Sequence, residues 1–302
     1  MSDPTIQGQR RLGHLYHQVR TTIGLAGRDA LMVGLASLAS DSSRRLLGRD
    51  LLILVAHPDD ETLGCGGLID SSVRLGSSPK VVILSVGDSR SNEVRAGELS
   101  KAMLTIGLHG EHVVTGGFTQ GLLTEEEPDM YRFVSDLVGK WTPEAIVATS
   151  AWDAHVDHRA VGRVARRLAD ESGIPCYEFF VWGWLYPRTV IAAARAERSA
   201  GWVSSVPWAY SRPVALQLGV SFERKKAALG CYESQIAASA GSYGLSFPPE
   251  TQPADGAISD NLLRYCLRQH ELFFPHTGFR KKPPLSINSV GDLGSSRGWR
   301  WG

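Results

Sequence analysis

From Leu51 to Val181 short apolar runs alternate with longer stretches of helical periodicity, and few folds accommodate that pattern. The runs are Leu51 to Ala56, Lys80 to Val86, His112 to Val114, Ala145 to Thr149 and Cys176 to Val181. Between them, helices are expected over Glu61 to Leu75, Asn92 to Ile106, Asp129 to Lys140 and His158 to Glu171. The first, fourth and fifth runs are apolar with hardly a break, so both faces of those strands must be covered. Strand–helix alternation then gives an α/β fold with a mostly parallel, Rossmann-like sheet and helices on both faces. Beyond residue 182 the pattern loosens. Trp182, Trp184, Trp202 and Trp208 fall among Pro187, Pro207 and Pro213, and a smaller C-terminal cap region, rich in β structure, is expected there. A last helix is expected from Ser221 to Ile236.

The chain divides into an N-terminal helical extension (1–48), one large domain (49–274) and a basic, Pro- and Gly/Ser-rich tail (275–302) that reads as flexible. The formal net charge is +1, from 32 basic and 31 acidic side chains, without the clustered basic face that nucleic-acid binding requires. No segment reads as a membrane span: the most apolar early stretch, Ala30 to Ala39, is too short. The N-terminus lacks the apolar core of a signal peptide. Cys65, Cys176, Cys231 and Cys266 are widely spaced and form no CxxC pair, which fits a reduced, cytoplasmic protein. The apolar N-terminal helices are an expected interface for a homo-oligomer.

Chemistry concentrates where the first strand ends. AHPDDE places His57, Asp59, Asp60 and Glu61 within five positions at a strand's carboxyl end, where open α/β sheets bind ligands. Ionisable groups this crowded repel or share protons unless a cation organises them. His57 and Asp60, three apart on a tight turn, suit one metal, and Asp59 between them suits a general base beside a metal-bound water. Gly64, Gly66 and Gly67 then allow close approach to the helix. A helix N-cap accounts for one acid, perhaps a second, but not for the histidine. A dinucleotide loop fits poorly, because the spacing misses GxGxxG and three acids would oppose a pyrophosphate.

A second cluster, SAWDAHVDHRAVG, follows the strand Ala145 to Thr149. His155 and His158 lie three apart at the mouth of the next helix, and parallel-sheet geometry can bring this loop beside His57. His57, Asp60 and one of these histidines make a two-His, one-carboxylate set with open coordination, as hydrolytic zinc sites require. The same donors suit Fe2+ or another divalent metal.

AHPDDE with HxDH about a hundred residues later resembles the PIG-L (LmbE-like) family of zinc-dependent deacetylases. RAGELSKAMLTIG (Arg95 to Gly107) is similar to that family's RxxELxxAxxxLG helix, and KKAALGCYESQ (Lys225 to Gln235) to its KxxALxxYxSQ segment. The resemblance spans roughly residues 50 to 236, with the four segments in family order. It implies a Rossmann-like fold and hydrolysis of N-acyl groups, commonly N-acetyl on glucosamine-type sugars. By position it implies Zn2+ held by His57, Asp60 and His158, with Asp59 as general base and His155 assisting the transition state. Gln120 stands where the family contacts its sugar, and Arg95, on the second helix near the strand ends, is expected in a structural ion pair with Glu98 or a site acid ahead of a substrate contact.

Two departures stand out. The family's GHPDH reads AHVDH here, with the histidine spacing kept. The family's acid after the third strand is replaced by Gln120 in GGFTQG. The expected substrate is a small amino sugar or glycoconjugate. The alternatives are a zinc amidase acting on a larger thiol-sugar conjugate or acylated natural product, and a non-catalytic sugar- or nucleotide-binding protein on the same fold.

Overall fold

The computed structural model describes residues 45–85, 92–199, 213–236 and 258–276. Nearly all of the extension expected over 1–48, all but the first residues of the tail, Trp202 and Trp208 lie outside the described residues.

A seven-stranded sheet forms the centre, in the order β3-β2-β1-β4-β5-β7-β6. Its parallel part comprises β1 (Leu51–Val55), β2 (Lys80–Ile83), β3 (Val113–Thr115), β4 (Ala145–Thr149) and β5 (Cys176–Phe179). β7 (His270–Pro275) runs antiparallel to β5, and β6 (Val214–Gln217) antiparallel to β7. The helices are α1 (Asp60–Arg74), α2 (Asn92–Ile106), α3 (Glu127–Trp141), α4 (Val156–Ser172), α5 (Pro187–Ser199), α6 (Ser221–Leu229) and α7 (Asp260–Cys266).

Side chains alternate across a strand, so β1 feeds two cores. Leu51, Ile53 and Val55 meet Leu68 and Ile69 of α1, Met103 and Ile106 of α2, and Leu229 of α6. Leu52, Leu54 and Ala56 meet Met130 and Val134 of α3 and Val161 and Val164 of α4. All six of these β1-side residues are buried, as the unbroken apolar run required. The chain moves outward from β1 to β2 and β3, then returns to β4 on β1's other side. The carboxyl ends of β1 and β4 therefore flank the crevice where the order reverses, the place an open α/β sheet offers to a ligand.

Beyond β5 the arrangement departs from expectation. The described residues contain no β-rich cap: Trp182–Trp184 is a 3-10 turn leading into α5, while β6 and β7 extend the main sheet. Trp184, half-buried, packs against Phe180 and Phe274 and donates its indole N–H to the Phe180 carbonyl. The late helix stops at Leu229, before the Tyr232–Gln235 segment, which is a run of turns.

α1 is kinked at Cys65 (φ −143°, ψ 20°). In an unbroken helix the Gly67 N–H would reach the Leu63 carbonyl. Here Gly67 and Leu68 donate their N–H groups to the two carboxylate oxygens of Glu271, both at 2.8 Å. Lys225 Nζ contacts Glu271 Oε1 at 2.7 Å and donates to the Leu63 carbonyl at 2.9 Å. A buried Lys–Glu pair from α6 and β7 thus serves the backbone groups of the kink. The glycines let this happen: a Cβ on Gly64 would lie 2.0 Å from the Phe179 ring, on Gly67 2.2 Å from Leu218, and on Gly66 3.2 Å from Lys225.

Candidate active site

Both predicted clusters converge at the β1/β4 crevice. The His57, His155 and His158 rings have centroids 4.9 to 5.5 Å apart, and one nitrogen from each lies within 4.8 Å of the others, so the three could hold a metal ion. Asp60 joins them. Its Oδ2 lies 3.4 Å from His57 Nδ1 and 3.1 Å from His158 Nε2, and it also accepts the His57 backbone N–H at 2.9 Å. Two ligands held at about 2.0–2.1 Å from one tetrahedral ion sit about 3.3–3.4 Å apart, which is close to this spacing.

Each histidine is oriented by a group that spacing alone did not single out. Asp157 Oδ2 lies 2.9 Å from His57 Nε2. An ionised carboxylate only accepts, so Nε2 carries the proton and Nδ1 presents its lone pair towards Asp60. Asp157 also accepts the N–H groups of Gly121 (2.7 Å) and Leu123 (3.4 Å), joining α4, the β3–α3 loop and β1 at one buried carboxylate. Asp153 approaches His158 Nδ1 at 3.5 Å and accepts the N–H groups of His155, Val181 and Gly183. Neither Asp153 nor Asp157 caps α4 with its side chain. His155 does, its Nδ1 accepting the Asp157 N–H at 3.2 Å. That leaves the His155 proton on Nε2.

His158 is fully buried, and neither ring nitrogen has a hydrogen-bond partner of adequate geometry. A buried imidazole without such partners, set between two carboxylates, suits a metal ligand. The electrostatics agree. Burial favours neutral His158, but Asp60 and Asp153 overrule it and raise its pKa to about 10. Burial likewise opposes ionisation of Asp60, and His158 and His57 overrule it, holding the carboxyl well below the usual range. The field that keeps a proton on His158 would equally attract a metal ion. His155 goes the other way: burial, then the neighbouring His158 and His57, lower it to about 4.

Asp59 stands at the N-cap position of α1 with φ 107° and ψ −33°, in a region L-residues seldom occupy, and its side chain makes no capping bond. Burial, then the Asp60 charge, push its pKa well above the carboxylate range, against the pull of Arg95. Its N–H donates to Glu61 Oε2 at 3.0 Å. Arg95 reaches across from α2, with Nη2 3.9 Å from Asp59 Oδ2 and 3.3 Å from the Pro58 carbonyl oxygen, and Nη1 donating to Gln120 Oε1 at 2.9 Å. Of the ion-pair partners expected for Arg95, the site acid Asp59 is the one it approaches, and Glu98 is not. Glu98 instead accepts the backbone N–H and the hydroxyl of Ser234, both at 2.7 Å.

Among the described residues no helix is long and apolar enough to cross a membrane. A search among curated proteins finds no match. Solved structures similar in fold include the zinc-inhibited form of teicoplanin deacetylase Orf2 (TM-score 0.53, 14% identity, covering 75% of this chain and 97% of that one). The N,N'-diacetylchitobiose deacetylase from Pyrococcus horikoshii is similar (0.52, 14%, 79% and 88%), as is the 4-carboxy-2-hydroxymuconate hydratase GalB from Pseudomonas putida KT2440 (0.50, 16%, 78% and 99%). At such identities the likeness establishes the fold alone. Residues 52–169, which carry both clusters, match the model of PIG-L, described as GlcNAc-PI de-N-acetylase. Over that stretch this chain is similar to the PIG-L (LmbE-like) family.

Proposed function

We propose that the protein is a zinc-dependent N-deacetylase that removes an acyl group, acetyl in the first instance, from the nitrogen of an amino sugar or glycoconjugate. One observation carries this reading: Asp60 Oδ2 lies 3.4 and 3.1 Å from the ring nitrogens of His57 and His158, with the His158 nitrogens otherwise unbonded. His57, Asp60 and His158 would hold the metal. His155 is the weaker fourth candidate, because its Nδ1 is engaged by the Asp157 N–H. Two imidazoles and a carboxylate suit Zn2+ and also accept Fe2+. When bound, the metal supplies a water of pKa about 7 and polarises the acyl carbonyl.

The residues divide the remaining work. Asp59, with its raised pKa, takes the proton of the attacking water and retains it long enough to pass it on. His155, neutral with its proton on Nε2, donates a hydrogen bond to the developing oxyanion. The leaving amine receives its proton from Asp59 or from His155. Arg95 and Gln120 meet the substrate. Because Gln120 Oε1 already accepts from Arg95, its amide nitrogen is left to donate, which selects an acceptor on the sugar. A non-catalytic binding protein would have no use for a buried acid held in a costly backbone conformation without capping its helix.

A second reading, an amidase for a larger acylated conjugate, has one observation in its favour. Asp157 binds the N–H groups on both sides of Leu122 and adjoins Val156, and these two side chains remain 49% and 40% exposed beside the site. They offer apolar contact to a substrate with a hydrophobic body. A panel of N-acyl amino sugars and lipophilic N-acyl glycosides, scored for free amine with metal stripped and restored, tests both. Metal-dependent amine release is expected. No release from any member would overturn the proposal.

A further inference from the structure

Among the described residues, the YES segment that follows α6 makes no hydrogen bond to the proposed metal ligands or to Asp59. Its contacts nevertheless end on both sides of Asp59. Tyr232, fully buried, donates its hydroxyl to Glu61 Oε1. Thr62 Oγ1 donates to the same oxygen at 2.6 Å, and Glu61 Oε2 accepts the Asp59 N–H. Glu61 is a fully buried carboxylate that, among the described residues, accepts from these donors and has no basic partner. Two residues on, Ser234 holds Glu98 of α2, the helix whose Arg95 reaches the Asp59 carboxylate and the Pro58 carbonyl. One short segment therefore clamps the backbone of Asp59 through α1 and its side-chain environment through α2.

We propose that Tyr232 and Glu61 are positioning residues that hold Asp59 in its left-handed conformation and so aim its carboxylate, with Ser234 and Glu98 fixing the opposite wall. The physical case is the strain. A non-glycine residue in such a region costs about 1–3 kcal/mol and persists only when its surroundings over-determine it. Here the peptide N–H of the strained residue is the group that is tied down. Released, Asp59 relaxes towards an ordinary N-cap conformation, and its side chain then caps α1 instead of facing the crevice.

The proposal rests on Asp59 being the base, so its test includes a readout independent of turnover. Tyr232→Phe keeps the ring in the core and deletes one O–H. Glu61→Gln keeps an acceptor for Tyr232 and Thr62 but turns an NH2 towards the Asp59 N–H. On the best N-acyl substrate each variant should lose kcat by about 10–100-fold, as misplacement of a reacting group by about 1 Å does, with KM and bound zinc little changed. Phe273→Leu, a core change away from the site, calibrates the effect of lost stability and should leave kcat alone. Amide hydrogen exchange at Asp59 should accelerate in both variants relative to wild type and Phe273→Leu. Unchanged kcat and unchanged exchange in Tyr232→Phe and Glu61→Gln would overturn the proposal. So would a kcat loss matched by Phe273→Leu at equal melting temperature. If wild type cleaves no amide, the functional reading fails, and the exchange measurement alone decides whether the bracket exists.

Discussion

Replacing Glu271 should destabilise the protein far more than loss of an ordinary ion pair, and restoring charge balance should not repair it. Glu271→Leu strands the buried Lys225 ammonium and removes the acceptors of the Gly67 and Leu68 N–H groups. Breaking a buried pair from one side costs about 3–5 kcal/mol. At about 2–4 °C per kcal/mol for a domain of this size, the melting temperature should fall by roughly 6–20 °C. The double variant Lys225→Met/Glu271→Leu discriminates between mechanisms. Hydrophobic replacement of a simple buried pair is often neutral or stabilising. Here it would still leave two backbone donors and the Leu63 carbonyl unserved at about 1–3 kcal/mol per group, so the double variant should stay at least about 2 kcal/mol below wild type. Thermal and urea unfolding of the chelator-treated proteins, followed by circular dichroism, measures both. A double variant as stable as wild type would refute the kink-repair argument.

Other consequences follow from the site. Asp157→Asn should weaken zinc binding by about 10–100-fold, as loss of a histidine's supporting carboxylate does, measured by competition with a chromophoric chelator. Anomalous scattering from zinc-loaded crystals should place the metal at bonding distance from His57, Asp60 and His158; a peak taking His155 in place of Asp60 would reassign the ligand set. In the metal-free protein, His158 binds its proton more tightly than an unfolded histidine with its pKa of about 6.5. Its stabilisation should be full below that pH and be lost as pH rises towards about 10, read as a falling urea midpoint that zinc abolishes. Gly162→Ala would drive a methyl to 2.1 Å from the Ala151 backbone nitrogen, a contact no side-chain rotation relieves, so loss of zinc binding together with a markedly lower melting temperature is expected.

Local pattern revealed the elements whose burial is one-dimensional. α2 is found at Asn92–Ile106 and β4 at Ala145–Thr149, the expected bounds, while β1 ends one residue earlier than expected and α1 is shifted one residue towards the N-terminus. The strand-end clusters were legible because metal-type donors three apart after an apolar run are rare by chance. The supporting groups were not. Asp157 serves His57 across 100 residues and Tyr232 serves Glu61 across 171, and no spacing rule reaches that far. A histidine, His155, caps α4, which leaves Asp153 and Asp157 to orient imidazoles. The glycines after HPDDE did signal close approach, but the approaching groups are Phe179, Leu218 and Lys225, which only the folded sheet brings there. β6 and β7 escaped notice because antiparallel strands of only four and six residues carry little periodic signal.

Asp59 is proposed as a base beside a metal it does not bind. Zinc content and turnover of Asp59→Ala, on the best substrate of the panel and beside wild type, examine that directly. One zinc per chain with nearly all amine release abolished is the predicted result. Wild-type turnover in Asp59→Ala, or loss of its zinc along with activity, would contradict it.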